Sequence, residues 1–174
     1  MVVPTGVAGE IVVKGPVVST RYYNRADSNA LGKIHDPRDG GTWHRMGDLG
    51  YLDTEGRLWF VGRKAHRVVT AEHGTLFTIT CEAIFNQHPM VYRTALVGVG
   101  PAGAQKPVIC VELEKGTQAH WPQLQRELQE LGARYVHTQA ISTFLLHPAF
   151  PVDIRHNSKI FREKLAVWAE DQLK

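Results

Sequence analysis

Cysteine is scarce in this chain, with only Cys81 and Cys110 among 174 residues. Their separation fits neither a Cys-x-x-Cys redox motif nor a zinc-binding pattern. Unpaired cysteine usually behaves as a small core residue, so we expect both to be reduced, buried thiols. This usage excludes a disulfide framework and is typical of a cytoplasmic protein.

Long apolar runs are also lacking. No stretch is long enough to cross a bilayer, and no charged N-terminal segment precedes an apolar signal core. The sequence therefore predicts neither membrane insertion nor secretion.

Charge is too dispersed to indicate nucleic-acid binding. The formal net charge is only +3, and the nine histidines lack the spacing of a zinc site, so no protein-bound metal is expected. The basic residues that do cluster lie near the C-terminal end, and we interpret them as a solvated helix face. They are Arg155, His156, Lys159, Arg162 and Lys164.

The first part of the chain shows strand and turn patterns and no predicted helix. Glu10 to Val13 alternates, residues 27 to 41 are rich in turn formers, and Trp43 to Gly62 predicts a hairpin around Asp53 to Gly56. A short all-β segment without helical cover is expected to belong to a larger body.

An α/β pattern follows Arg63. Residues 66 to 79 predict a second hairpin, and Thr80 is expected to cap a helix that runs to His88. Tyr92 to Val99 and Val108 to Glu114 predict an antiparallel pair.

Two amphipathic helices are predicted beyond that pair. One covers residues 121 to 131, with Pro122 in its first turn and Gly132 as its C-cap, and the other covers residues 160 to 173. Ile141 to Leu146 is expected to be the last strand. The predicted fold class is α+β: a β-rich segment, a hinge, and a small α/β domain with a hairpin and a three-stranded sheet packed with helices.

Asp48 and Arg63 lie on the two strands of the first hairpin. A carboxylate can accept hydrogen bonds from two neighbouring sugar hydroxyls, while a guanidinium can bond a hydroxyl or phosphate oxygen from the other side. The pair therefore predicts a ribose clamp. The alternative is that an Asp beside Gly is only a turn residue.

Several segments, in matching order, resemble the adenylate-forming enzymes: acyl-CoA synthetases, luciferase-like ligases and peptide-synthetase adenylation domains. The resemblance covers nearly the whole chain. It is carried by Gly9 to Gly15, Tyr22 to Asn24, Trp43 to Tyr51, Gly62 and Arg63, Glu82 to Phe85, His88 and Pro89, and Lys159.

The resemblance implies that Asp48 and Arg63 hold the ribose hydroxyls of ATP, with Tyr51 packing near the nucleotide. It also implies that Lys159 reaches the α-phosphate and the substrate carboxylate, where a mobile ammonium neutralises developing charge. Without the family resemblance, Lys159 would be interpreted as an exposed, solubilising residue. The implied cofactors are ATP and Mg²⁺ bound through ATP.

The implied organisation is the end of an N-terminal AMP-binding domain over residues 1–63, a hinge at 64–66 and a mobile C-terminal domain over 67–174. Ala65 occupies the hinge position, where the family usually has Asp or Lys. The family's Ser/Thr/Gly-rich phosphate loop and acyl pocket have no counterpart here. We therefore expect the chain to be part of a longer enzyme and not to catalyse alone.

Residues 62–68 and 154–165 most resemble the β-lactone synthetases of bacterial long-chain olefin biosynthesis. In that subfamily ATP activates a β-hydroxy acid, whose own hydroxyl then closes the ring as AMP leaves. Gly74 falls later than the corresponding glycine of CoA-using members, which argues against a CoA step. The alternatives are a long-chain fatty acyl-CoA ligase and a non-catalytic interaction module derived from the family. Other enzymes of olefin biosynthesis are the implied partners.

Overall fold

The computed structural model of the protein describes residues 3–155 and 159–174. The chain divides into two compact units, Met1–Ala65 and His66–Lys174. Within the described ranges, no helix has the length and apolarity needed to cross a membrane.

The first unit is built on a four-stranded antiparallel sheet centred on its longest strand. The strands are β1 (Gly9–Val13), β2 (Lys33–His35), β3 (Thr42–Leu52) and β4 (Leu58–Arg63). β3 pairs with β1 along one edge and with β2 and then β4 along the other. This arrangement confirms the predicted hairpin of β3 and β4.

The turn of this hairpin is held by the side chain of Asp53. One carboxylate oxygen accepts hydrogen bonds from the backbone N–H groups of Glu55 and Arg57, and the other accepts one from Trp59 Nε1 at 2.8 Å. These donors, Trp59 first and Arg57 next, lower the pKa of Asp53 to about 2. The turn is therefore closed by an ionised carboxylate at neutral pH.

The expectation of no helix in the first part is wrong, because α1 (Ala26–Gly32) forms a short helix there. Asp27 lies in its first turn, where a negative charge is favourable. Asn29 connects the helix to the preceding loop, since its carboxamide accepts from Tyr22 N at 2.6 Å and donates to Tyr22 O at 2.9 Å. These turn-forming residues are thus used inside and beside a helix.

The second unit places helices on both faces of a three-stranded sheet. The strands of this unit, within that sheet and outside it, are β5 (Val68–Val69), β6 (Thr75–Leu76), β7 (Val91–Val99), β8 (Lys106–Leu113), β9 (Thr143–Leu146), β10 (Val152–Asp153) and β11 (Lys159–Ile160). Its helices are α2 (Thr78–Phe85), α3 (Trp121–Ala133) and α4 (Arg162–Gln172). β7 and β8 are antiparallel, and α3 makes the crossover that lets β9 pair with β8 in parallel. β5 pairs with β6, and β10 with β11.

Alternating side chains of β7 and β8 supply two cores. Leu96, Ile109 and Val111 belong to a cluster with buried residues of α2 and α3, including Leu128. Their neighbours face the opposite way and pack with residues of α4 such as Leu165. The expected three-stranded sheet packed with helices is confirmed.

Both cysteines lie in these cores. Cys81 and Cys110 are free and fully buried. Burial raises the pKa of each thiol to about 12, so neither is a thiolate at neutral pH. The prediction of buried thiols is confirmed.

Three local predictions for this unit are wrong. α2 begins at Thr78, and Thr80 donates its hydroxyl to Phe77 O instead of capping the helix. Gly132 lies inside α3, where an added Cβ would come 2.9 Å from the ring of Phe85, so close packing and not a C-cap explains the glycine. The strand expected to be last is followed by β10 and β11.

Candidate functional site

Asp48 and Arg63 are directly opposite each other in the ladder of β3 and β4. Arg63 Nε lies 3.1 Å from Asp48 Oδ1, and Arg63 Nη1 donates to Met46 O at 3.2 Å. The structure thus brings together the two residues that the sequence singled out. Half of the Arg63 side chain is exposed.

Asp48 retains an unused hydrogen-bond acceptor. Its Oδ1 is buried, and the approach of Arg63 Nε lacks hydrogen-bond geometry, so among the residues that the structure describes this oxygen receives no hydrogen bond. A buried acceptor left unsatisfied is costly. The positive charge of Arg63, 3.1 Å away, offsets part of that cost.

Gly50 lets the two strands approach closely beside this pair. A Cβ at this position would lie 2.7 Å from the backbone oxygen of Trp59 and 3.0 Å from the side chain of Ile11. The first neighbour is backbone of the paired strand and cannot move without separating the strands.

We therefore expect Gly50→Ala to lower the free energy of unfolding by about 1–3 kcal/mol, as other overpacked sites do. Denaturant unfolding of the chain measures this change. Gly15→Ala is the matched control, because a Cβ at Gly15 meets nothing within 4 Å and a surface change of this kind costs less than about 0.5 kcal/mol. Equal stability of the two variants would contradict the steric argument.

Phe60 is a neighbour of the pair that sequence analysis missed. It is directly opposite Gly50, which lies two residues from Asp48 on β3, so all three share one face of the sheet. Its side chain is 47% exposed. An apolar ring therefore borders the Asp48–Arg63 pair. Only the irregular register between Leu49 and Gly50 reveals this placement.

Tyr51 is not brought together with the pair. It lies three residues after Asp48 on the same strand, so alternation directs its side chain to the opposite face. There its ring stacks on Trp59, with 6.5 Å between centroids and 13° between planes. Packing within the sheet is the role that the structure gives Tyr51, and a contact with nucleotide stays a prediction.

Glu10 links the start and the end of the first unit. It accepts hydrogen bonds from Arg45 Nη2 at 2.5 Å and from Lys64 Nζ at 2.8 Å. The hydrogen bond from Arg45 is the main reason that the pKa of Glu10 lies below its usual value. Lys64 is thereby fastened to β1.

A shallow cleft of about 550 Å³ lies within the first unit and reaches the residues just before Asp48. It is lined by Glu10, Tyr22, Arg25, Ser28, Leu31, Gly32, His44, Arg45, Met46 and Gly47. The charge of Arg45 is balanced by Glu10. The cleft therefore extends the surface beside the pair without adding a cluster of unbalanced cations.

Lys159 lies on β11 of the second unit, with an exposed side chain. It is opposite Asp153 in the short ladder of β10 and β11. Residues 156–158, which belong to the tail match of the sequence, lie outside the described residues. Ala65 is the middle residue of a short 3₁₀ helix, Lys64–His66, at the boundary between the two units.

Over residues 3–155 and 159–174, no group of three or more His, Cys, Asp and Glu side chains is arranged to hold a metal ion.

No family model matches the sequence. Individual proteins, however, do match the sequence. An olefin β-lactone synthetase from Xanthomonas campestris pv. campestris is 52% identical over 175 residues, which cover 98% of this chain and 31% of that protein. The corresponding enzyme of Stenotrophomonas maltophilia is 53% identical over 99% of this chain and 31% of its own length.

A solved structure shows the same fold. The o-succinylbenzoate coenzyme A synthetase of Bacillus subtilis, in complex with ATP and magnesium ion, matches with a TM-score of 0.73 and 26% identity. The match covers 95% of this chain and 32% of that one. The chain spans about a third of the length of the relatives it matches. Its sequence and fold together show that it belongs to the adenylate-forming superfamily, with the olefin β-lactone synthetases among its relatives.

Proposed function

We propose that the chain is the C-terminal part of an ATP-dependent ligase that activates a long-chain β-hydroxy acid as acyl-AMP and closes it to a β-lactone. The geometric observation that supports ATP binding is the pairing of Asp48 with a half-exposed Arg63 across β3 and β4. The substrate class rests on the identity to two olefin β-lactone synthetases over nearly the whole chain.

Asp48 and Arg63 would hold the ribose of ATP between them. A ribose hydroxyl would donate to the carboxylate of Asp48, whose side chain is partly exposed. The guanidinium of Arg63 donates to a hydroxyl or phosphate oxygen. Phe60 supplies an apolar surface on the same face. Mg²⁺, bound through ATP, would neutralise phosphate oxygens.

Lys159 would act in the first reaction step. A carboxylate oxygen of the substrate attacks the α-phosphorus, the bond from that phosphorus to the bridging oxygen breaks, and pyrophosphate leaves. Two anions meet in this step, so the exposed ammonium of Lys159 can neutralise charge that develops between them.

The second step needs no further substrate. The β-hydroxyl oxygen attacks the acyl carbon, the bond from that carbon to the AMP oxygen breaks, and the hydroxyl proton passes to solvent as AMP leaves. The nucleophile is part of the same molecule, which gives it a high effective concentration.

We further propose that residues 1–63 end an AMP-binding domain, that residues 64–66 form a hinge centred on Ala65, and that residues 67–174 move during the reaction. The division of the chain after Ala65 supports this assignment. The enzyme would act in the cytoplasm, alongside other enzymes of olefin biosynthesis. Its remaining domain, absent here, would supply the phosphate loop and the acyl pocket.

Mass spectrometry of the full-length enzyme's products tests the proposal. With a long-chain β-hydroxy acid, ATP and magnesium, we expect AMP and a product one water lighter than the acid, whether or not CoA is present. A product that forms only with CoA and carries its mass would instead show an acyl-CoA ligase, the class of the Bacillus subtilis neighbour. Absence of AMP under every condition would favour a non-catalytic module.

A further inference from the structure

Glu82 and Arg162 form a buried ion pair that the proposed reaction does not use. Glu82 lies on α2 and Arg162 is the first residue of α4, so the pair joins elements 80 positions apart. Arg162 Nη1 lies 2.5 Å from Glu82 Oε1, and Nη2 lies 2.8 Å from Oε2. The two side chains are only 14% and 9% exposed. The expectation that Arg162 belongs to a solvated helix face is therefore wrong.

The pair is also fastened to β7, an edge strand of the three-stranded sheet. The backbone N–H of Leu96 on β7 donates to Glu82 Oε1 at 2.8 Å, and Arg162 Nη1 donates to Leu96 O at 3.4 Å. Burial raises the pKa of Glu82, while the charge of Arg162 and the Leu96 N–H oppose that rise. The start of α4 is thus fixed in both position and orientation.

Stability alone does not account for such a pair. Burying two charges costs free energy that their attraction only partly offsets, and apolar side chains of similar volume often serve as well. A bidentate pair does supply a defined geometry. A residue whose position matters should therefore lie near it.

Lys159 lies three residues before Arg162. Its strand is held on the other side by the ladder with β10, and Phe161 N donates to Pro151 O at 2.9 Å to close the base of the loop. The backbone of Lys159 is therefore fixed between this ladder and the Arg162 anchor. A long, flexible side chain can deliver its ammonium reproducibly only from a backbone held in this way.

We infer that Glu82 and Arg162 are positioning residues that hold the Lys159 backbone where its ammonium serves acyl-adenylate formation. This inference rests on the proposed function of Lys159. Arg162 acts through Lys159 and touches no substrate itself.

A double-mutant cycle in the full-length enzyme tests the inference. Arg162→Lys keeps the charge but loses the bidentate fork. We expect it to lower kcat for ATP–pyrophosphate exchange about 10-fold to 100-fold, as displacement of a reacting group by about 1 Å does. KM for ATP should stay within about twofold, because the ribose residues belong to the other unit. In a Lys159→Ala background, Arg162→Lys should cause no further loss.

Arg126→Lys is the matched control, since Arg126 is an exposed arginine of the same unit. Glu82→Gln provides a second variant, because it keeps an acceptor for the Leu96 N–H but removes the charge; it should show the same dependence on Lys159. If the kcat losses of the single variants multiply in the double variants, the inference is overturned and the pair has a general structural role.

Hydrogen exchange gives a readout that does not depend on activity. Arg162→Lys should speed exchange of the Phe161 amide more than that of the Leu128 amide in the core. An unchanged rate of hydrogen exchange at the Phe161 amide would show that Arg162 does not anchor this segment. Two results together would separate the anchor from the proposed function. If Lys159→Ala leaves ATP–pyrophosphate exchange intact while Arg162→Lys speeds hydrogen exchange at the Phe161 amide, the proposed function of Lys159 fails and the anchor stands.

Discussion

Lys159→Ala in the full-length enzyme is expected to slow acyl-adenylate formation about 100-fold to 1000-fold. A positioned charge that stabilises a transition state is worth about this much in kcat. The loss should fall on kcat more than on KM for ATP, since the ammonium acts where charge develops and not where the ribose binds. ATP–pyrophosphate exchange driven by the β-hydroxy acid measures the step directly.

The matched control for this loss is Lys174→Ala. Lys174 is also an exposed lysine of the second unit, and its partner is Asp171 at 2.9 Å. It should exchange pyrophosphate at the normal rate. Ring closure from supplied acyl-adenylate should also survive Lys159→Ala. Normal exchange in Lys159→Ala, or equal loss in both steps, would remove Lys159 from the adenylation step.

Asp48→Asn is expected to raise KM for ATP about 10-fold to 100-fold. The change keeps the size of the side chain but replaces a charged acceptor with a neutral one, and a hydrogen bond to a charged group contributes about 1.5–3 kcal/mol. Each 1.4 kcal/mol corresponds to about a factor of ten in affinity. Initial rates over a range of ATP concentrations provide the measurement.

A nucleotide that lacks both ribose hydroxyls shows whether this loss arises at the ribose. The normal enzyme should bind 2′,3′-dideoxy-ATP about as weakly as Asp48→Asn binds ATP, and the variant should lose little further affinity. Asp27→Asn, which changes an exposed acid of the same unit, should bind ATP normally. If the variant still discriminates strongly between the two nucleotides, Asp48 is not the ribose acceptor.

The elements predicted well from sequence are those determined by neighbouring residues. The side chains of β3 and β4 alternate on either side of a turn that the Asp53 carboxylate closes by accepting from the N–H groups of Glu55 and Arg57. The hairpin brings Asp48 near Arg63, but their direct pairing depends on the register shift between Leu49 and Gly50, because an unshifted ladder would place Asp48 opposite Gly62. The chemistry of a carboxylate opposite a guanidinium predicts a ribose clamp, and the family resemblance implies that the ribose belongs to ATP.

Features that depend on distant residues were missed. α1 is fastened by Asn29 to a loop seven residues away, and a cluster of turn formers gave no sign of this contact. Arg162 looked like part of a solvated basic face, because its partner Glu82 is 80 positions earlier in the chain. The face that Phe60 occupies follows from a register shift that alternation alone does not predict.

The ion pair of Lys64 with Glu10 bears on where the proposed hinge at residues 64–66 would begin. Lys64 Nζ donates to Glu10 Oε2 at 2.8 Å, so the residue just before Ala65 is tied to β1. The next residue is Ala65, which is exposed and has a small side chain. A hinge here would turn on a few backbone dihedral angles, and the Glu10–Lys64 pair would set its starting point.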